Sequence, residues 1–231
     1  MYRLGIIVIS YNYLEYFLKN HRKVANTEVA CVYVDDQSDW SFCTESRIQS
    51  LGYQYVRTFG PKHFDNSINQ MNAIKIGLST IPICDYYWVI DGDDYYDFDL
   101  SNILQILYKR NLNGLVLTSR EKMADSYDDT GVRNVPVFGK FWIRKATTSQ
   151  FIIGSIHLHA VLRTFDKYIP DFWYDARISL MCNNDLEILE RFEICKIIHG
   201  ANDSIRYRHL FISRVLRYCR AIIIRKRRFK L

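Results

Sequence analysis

The sequence predicts an α/β fold, a central mixed, mostly parallel sheet flanked by helices, and three observations predict it. Three runs, Leu4-Gly5-Ile6-Ile7-Val8-Ile9-Ser10, Val29-Ala30-Cys31-Val32-Tyr33-Val34 and Tyr86-Tyr87-Trp88-Val89-Ile90, are almost continuously apolar. Strands buried on both faces of a parallel sheet read this way, whereas half-exposed strands alternate. Stretches with helical spacing of apolar residues follow the first run (14–25) and precede the third (67–78). Finally, the second and third runs each stop on a cluster of aspartates.

Taken in order, Tyr11-Asn12-Tyr13 after the first strand are loop and helix-cap residues leading into the first helix. The second strand ends on Asp35-Asp36-Gln37-Ser38-Asp39. An acid there can hydrogen-bond ribose hydroxyls or base nitrogens, or simply cap a helix beginning near Trp40. Residues 53–58 form a short third strand and residues 60–66 a turn-rich connection. The helix 67–78 then delivers the chain to the third apolar run. Beyond it, residues 100–108 read as a helix and 114–118 as a strand, while 121–148 are polar, basic and interrupted by Gly131, Pro136 and Gly139. A long irregular stretch of this kind is usually functional or disordered. Within it, Phe141-Trp142 offer a stacking surface for a sugar or an apolar anchor.

The chemical centre is Asp91-Gly92-Asp93-Asp94. Three carboxylates in four positions at the end of a buried strand repel one another and resist desolvation unless a cation offsets them. Hard oxygen ligands suit Mg²⁺ or Mn²⁺, which are commonly held by one or two carboxylates with substrate phosphates and water completing the sphere. Gly92 lets the chain turn sharply there. An acidic surface turn is the alternative, and the preceding buried strand argues against it, because open α/β sheets bind ligands outside the carboxyl ends of their strands.

Composition narrows the classes. Of 231 residues, 48% are hydrophobic and 24% charged, so the chain can bury a sizeable core. The 17 tyrosines suit sugar or base stacking and an aromatic core equally. Six cysteines without a CxxC pair read as free thiols of a reducing compartment. No charged leader precedes the first strand and no apolar run approaches the roughly 18 residues of a membrane span, which leads to the expectation of a cytoplasmic protein. The net charge of +6 belongs to one end: residues 206–231 hold ten Lys or Arg and no acid, leaving the rest at −4.

With these pieces placed, the chain resembles a family 2 glycosyltransferase of the GT-A fold. The resemblance rests on the strand leading to Ser10-Tyr11-Asn12, on Val34-Asp35-Asp36-Gln37-Ser38 and on Asp91-Gly92-Asp93-Asp94, and it covers residues 1 to about 100 well and the remainder more loosely. It implies that Ser10, Tyr11 and Asp36 hold the nucleotide of a sugar donor. Asp93 is the implied ligand of Mn²⁺ or Mg²⁺, and Asp91 lies beside the ribose and metal-bound water. Where relatives carry Arg-Asn before a Gly-Leu pair, this chain has Ala73-Ile74-Lys75-Ile76, leaving Asn66, Asn69 or Lys75 for helix-side donor contacts. Residues 151–162 resemble an acceptor-side strand, in which His157 and His159 point to one face. Cys182-Asn183-Asn184-Asp185 stands where relatives carry an acidic pair, a hydrophobic helix and an Arg; Asp185 is the implied general base, Asn184 replaces the first acid, and Asp175 and Glu187 are the other candidates. Arg206 and Arg208 would offset phosphate charge, and His209 would complete the metal sphere.

The expected organisation is a glycosyltransferase domain over residues 1–205, with its nucleotide-sugar half at 1–100 and its acceptor half at 101–205, and a basic amphipathic tail at 206–231. Cations interleaved with apolar residues suit an interfacial helix on anionic headgroups, hence a peripheral placement on the inner face of the plasma membrane. Nucleic acid is not an expected partner, since no recognition motif accompanies the charge. The function expected is inverting transfer of a sugar, foremost from a UDP-sugar, to a glycan or lipid-linked oligosaccharide in surface polysaccharide or lipopolysaccharide synthesis. A nucleotidyltransferase and a non-catalytic glycan- or membrane-binding relative are the alternatives.

Overall fold

A computed structural model describes residues 3–39, 45–123, 126–129, 133–138, 141–165, 173–182 and 185–198. The three apolar runs become β1 (Leu4–Ser10), β2 (Val29–Asp35) and β4 (Tyr86–Asp91), and with β3 (Gln54–Arg57) they form a parallel block in the order β3-β2-β1-β4. Beyond β4 the sheet turns mixed: β10 (Phe151–Gly154) runs antiparallel between β4 and β6 (Gly114–Met123), β11 (Glu187–Ile198) lies parallel to β6, and β5 (Asp94–Tyr96) closes the edge against β11. β7 (Ser126–Asp129) pairs with β6, and β8 (Arg133–Phe138) with β9 (Phe141–Lys145) forms a separate hairpin.

The near-continuous hydrophobicity of β1, β2 and β4 has the cause expected, because both faces of the sheet are covered. On one face Leu4, Ile6, Val8, Tyr33 and Trp88 meet α1 (Leu14–Asn20), α2 (Glu45–Ser50) and α4 (Leu100–Lys109) through Phe17, Ile48, Ile103 and Leu107. On the other, Ile7, Ile9, Val32 and Val89 meet α3 (Asn66–Thr80), α5 (Ser155–Leu162) and α6 (Tyr174–Met181) through Met71, Ile74, Leu158 and Ile178. Asp65 caps α3 by accepting the Ser67 N–H at 2.9 Å, and Asp99 caps α4 through Ser101 in the same way. These caps fix where each helix begins.

Four expectations are corrected. The first helix ends at Asn20 rather than continuing to residue 25, because His21 turns extended and inserts its ring against Phe17, 4.2 Å between centroids. Residues 155–162 are helix, not strand. Alternation would bury Ile156 with Leu158, yet Ile156 is 80% exposed while Leu158 and Val161 are buried at a spacing of three. His157 and His159 therefore leave different faces of α5 instead of sharing one. Residues 187–198 are strand, not helix: a bulge between Leu189 and Glu193 shifts the alternation, so Leu186, Leu189 and Phe192 recur every third residue and imitate helical spacing. The stretch 121–148 is likewise largely β-structure, occupied by the end of β6, by β7 and by the β8–β9 hairpin.

Cys31, Cys84, Cys182 and Cys195 are free thiols, and no helix among the described residues is long and apolar enough to cross a membrane. The tail 206–231, with the domain boundary drawn before it, lies outside the described residues.

The approach of α3 to the sheet is set by Gly77, where an added Cβ would sit 2.6 Å from Ile7 Cγ2 and 3.1 Å from Val34 Cγ2. Both neighbours are fully buried and have no room to retreat. Alanine is the better helix former by about 1 kcal/mol, but overpacking costs about 1–3 kcal/mol. Gly77→Ala is therefore expected to lower the urea-unfolding midpoint, and a raised midpoint would refute this packing.

Candidate active site

Because β1, β2 and β4 are parallel, their carboxyl ends share one edge, with Ser10 level with Asp35 and Ile9 level with Asp91. Two of the sequence-identified loops are laced together there. Asn12, at φ 62°, donates its backbone N–H to Ser38 Oγ at 2.9 Å and its amide to Asp39 at 3.0 Å, while the Asp39 N–H donates back to Asn12 Oδ1 at 2.9 Å. Adjacent Asp35 and Asp36 have different fates. Asp35 is wholly buried and structural, accepting from Tyr55 at 2.9 Å and the Ser38 N–H at 2.9 Å and pairing with Arg57 at 3.2 Å. Burial, with this carboxylate adding to it, pushes the Tyr55 phenol up to about 12. Asp36 leaves the strand toward the cleft, receives the Thr58 hydroxyl at 2.8 Å and lies 3.6 Å from Lys62. The Lys62 ammonium also lies 3.5 Å over the half-exposed ring of Tyr11. Lys62 thus links Tyr11 and Asp36 beside the carboxyl ends of β1 and β2.

The acidic turn sits beside these strand ends. Gly92 donates its N–H to Ile9 O at 2.7 Å, and a Cβ there would fall 2.7 Å from Ser10 Oγ and 2.8 Å from Ser10 Cβ. Only glycine lets the turn lie directly on the end of β1. Ser10 is wholly buried under it, so its side chain supports the turn. Asp93 and Asp94 are buried and Asp91 half-buried. Burial raises the Asp91 carboxyl well above the usual carboxylate range, and the charges of Asp94, Asp93 and Asp175 raise it further against the pull of Lys196. Burial likewise pushes Asp94 up to about 6, with Lys196 and the Ser149 hydroxyl opposing it and Asp93 adding to it. For Lys196, burial works to lower the ammonium, but Asp94, Asp91, Asp93 and Asp175 together raise it above the usual lysine range.

A further group of residues braces this cluster. His21 Nε2 donates to Asp94 O at 2.8 Å, and burial holds that imidazole down to about 4, in its neutral form. The 3-10 turn Thr148–Gln150, which leads into β10, packs on β4: Ser149 Oγ accepts the Asp91 N–H at 3.0 Å, and Ser149 O accepts the Trp88 indole N–H at 2.7 Å. Gln70 of α3 then donates to Thr148 Oγ1 at 3.3 Å and accepts the Tyr174 N–H at 3.2 Å. That chain of contacts fixes the start of α6, and the charge of Asp175 in its first turn reaches the Asp91 carboxyl.

Asp185 lies elsewhere. It comes just before β11, whose Glu187 pairs with Leu115, which pairs with Ile152, which pairs with Trp88. That is the amino-terminal half of β4, so Asp185 is at the opposite edge of the sheet, separated from Asp91 by most of a six-residue strand, about 17 Å. There it is 52% exposed and 3.7 Å from His157 Nε2. Glu187 pairs with Arg110 on the same side. Asn69 clamps residue 63 by accepting the His63 N–H and donating to His63 O, both at 2.9 Å, and Lys75 lies 5.7 Å over the Phe165 ring, so neither is directed into the cleft. Arg206, Arg208, His209 and Asn184 lie outside the described residues. Sequence reasoning missed Lys62, Ser149, Gln70 and Lys196. Only Lys196 carried a signal, as a lone cation in the apolar run Ile194-Cys195-Lys196-Ile197-Ile198.

The donor set suits a hard divalent cation. Burial and like charge disfavour ionisation of Asp91 and Asp94, and Asp94 Oδ2 is buried without a hydrogen bond, 3.7 Å from the Lys196 ammonium. Among the described residues no three His, Cys, Asp or Glu side chains form a ready-made cage, so an ion here takes one or two carboxylates and fills its sphere from substrate and water.

No protein-family model matches the sequence, nor does any curated protein sequence. Solved structures do match. S. aureus TarS superposes with a TM-score of 0.54 at 16% identity over 85% of this chain and 37% of that one. TarS 1–349 in complex with UDP-GlcNAc gives 0.56 at 16% identity over 87% of this chain and 60% of that one. The mannosyltransferase PcManGT from Pyrobaculum calidifontis, in complex with GDP-Man and Mn²⁺, gives 0.52 at 12% identity over 87% and 58%. The chain thus spans less than two thirds of the length of these structures. With the parallel block, the reversed β10 and the acid-tipped β4, they show that this chain has the GT-A fold.

Proposed function

We propose that the protein is a metal-dependent inverting glycosyltransferase that moves a sugar from a nucleoside diphosphate donor, foremost a UDP-sugar, to a hydroxyl of a glycan or lipid-linked acceptor. The observation that carries this reading is the placement of Asp91 and Asp93 at the carboxyl end of β4, beside the loops that carry Tyr11 and Asp36 and within the field of Asp175. The activities named for the structural neighbours, with UDP-GlcNAc and GDP-Man bound, support it.

In this reading Tyr11 stacks on the base and Asp36 accepts from it, while Ser10 and Gly92 let the backbone approach the ribose. Asp93 would hold Mn²⁺ or Mg²⁺, and Asp91 would face the ribose. When bound, the ion offsets the charge of the departing diphosphate as a Lewis acid. Asp175, rather than Asp185, is the general base. It accepts the proton of the acceptor hydroxyl as the new oxygen–carbon bond forms at the anomeric carbon and the bond to the diphosphate breaks. Arg206, Arg208 and His209 remain candidates for phosphate and metal contact from the tail, whose charge suits an anionic membrane surface and a lipid-linked acceptor of surface polysaccharide synthesis.

Three results test this. Nucleoside diphosphates and their sugars are expected to stabilise the fold with Mn²⁺ and not without it, by about 2.7 kcal/mol at a hundredfold excess over Kd, and so to raise the melting temperature. Asp93→Ala should abolish that shift; pyrophosphate release from a nucleoside triphosphate would instead indicate a nucleotidyltransferase. With donor identified, Asp175→Asn is expected to lower kcat by about 10²–10⁴-fold with nucleotide binding intact, whereas Asp185→Asn leaves it within a few-fold. Equal losses in the two variants would reject the assignment.

The pH dependence follows from the raised carboxyls. The folded state holds the Asp94 and Asp91 protons more tightly than the unfolded chain, so the Asp94 contribution is fully present below about pH 4 and is lost as pH rises through about 6, and that of Asp91 is lost in the same direction. A bound cation removes that loss. The shift given by Mn²⁺ with UDP should therefore be larger at about pH 7.5 than at about pH 5, and an unchanged or smaller shift would contradict the site.

A further inference from the structure

We propose that Lys196 is the resident counter-cation of the acidic turn and makes divalent-metal binding conditional on the nucleoside diphosphate; the inference rests on the metal-dependent reading above. Pairing of β11 with β5 sets Lys196 opposite Asp94. Its ammonium ends 3.7 Å from Asp94 Oδ2, with the two side chains 17% and 1% exposed. It also lies in the field of Asp91, Asp93 and Asp175. Ile194, two residues earlier on the same strand, is wholly buried, so the backbone under Lys196 is fixed. Breaking a buried ion pair leaves an uncompensated charge, so the ammonium does not swing out when a metal arrives.

A divalent ion entering alone therefore meets carboxylates that are already partly offset, beside a like charge that stays. A diphosphate changes the balance, since its negative charge attracts the ion and Lys196 together. Metal and nucleotide then strengthen each other's binding, by the same factor in both directions. The consequence for the proposed reaction is that metal enters with the donor and leaves with the diphosphate, instead of resting in the empty site. Lys196 acts through Asp94 and through its charge, as a positioning residue that touches no reacting atom.

The test is Mn²⁺ binding to the full chain, followed by the paramagnetic resonance of the free ion, with and without UDP. Lys196→Met and Lys196→Gln are expected to bind Mn²⁺ alone roughly tenfold more tightly than wild type, and to lose roughly tenfold of the gain that UDP confers. Lys196→Arg should behave as wild type. Since Lys196→Met leaves Asp94 buried without its ion pair and risks unfolding, the same substitution is also compared in an Asp94→Asn background, where loss of the Lys196 charge should still tighten Mn²⁺ binding over Asp94→Asn alone, by less than in the wild-type background. Unchanged or weaker Mn²⁺ affinity in these comparisons, with wild type still taking up Mn²⁺ in the presence of UDP, would overturn the role of Lys196. Failure of wild type to take up Mn²⁺ even with UDP would overturn the metal-dependent reading, and the role of Lys196 with it.

Discussion

The site depends on a close contact between two strand ends. The turn at Gly92 rests on Ser10 with no space for a side chain, and this aims Asp91 and Asp93 at the same edge as the loops after β1 and β2. A β-carbon at residue 92 would push the turn off β1 and separate the carboxylates from the Tyr11–Asp36 cleft. The parallel sheet supplies the rest, because parallel strands collect all their carboxyl ends on one side.

That geometry concentrates negative charge where water is scarce, and the surrounding residues manage the cost. Lys196 offsets part of it from the next strand, Ser149 fixes the Asp91 backbone, and His21 holds the Asp94 carbonyl as a neutral donor. Asp35 shows the other solution. Its charge is neutralised locally by Arg57 and Tyr55 and takes no part in the cleft, which leaves the adjacent Asp36 to face it. Of two acids in one dipeptide, the one that ends β2 is wholly buried and the one just beyond the strand is held by Thr58 and Lys62.

Much of this was legible in the sequence. Unbroken apolar runs announced β1, β2 and β4, and acids at their ends announced the edge that matters. The acceptor half was harder for a physical reason. The bulge in β11 gave Leu186, Leu189 and Phe192 a helix-like spacing, so a strand read as the helix that follows a catalytic acid, and Asp185 was matched to that acid. Helix α6 begins at Tyr174, whose N–H is held by Gln70 next to the 3-10 turn that braces Asp91, and it ends at Met181, shortly before Asp185 at the opposite end of the sheet. Two aspartates ten residues apart cannot be told apart by composition when the helix between them carries one to each side of the sheet. The spacing of His157 and His159 misled in the same way, since Ile156, Leu158 and Ala160 alternate as a strand would but only Leu158 is buried.

The measurement that bears most directly on the central claim is anomalous diffraction at the manganese edge from crystals grown with UDP and Mn²⁺. The account predicts a single strong peak bonded to Asp93 and the diphosphate, with the base beside Tyr11 and Asp36 and with Asp175 across the remaining space. A nucleotide bound away from the carboxyl ends of β1, β2 and β4, or a metal remote from Asp93, would contradict it.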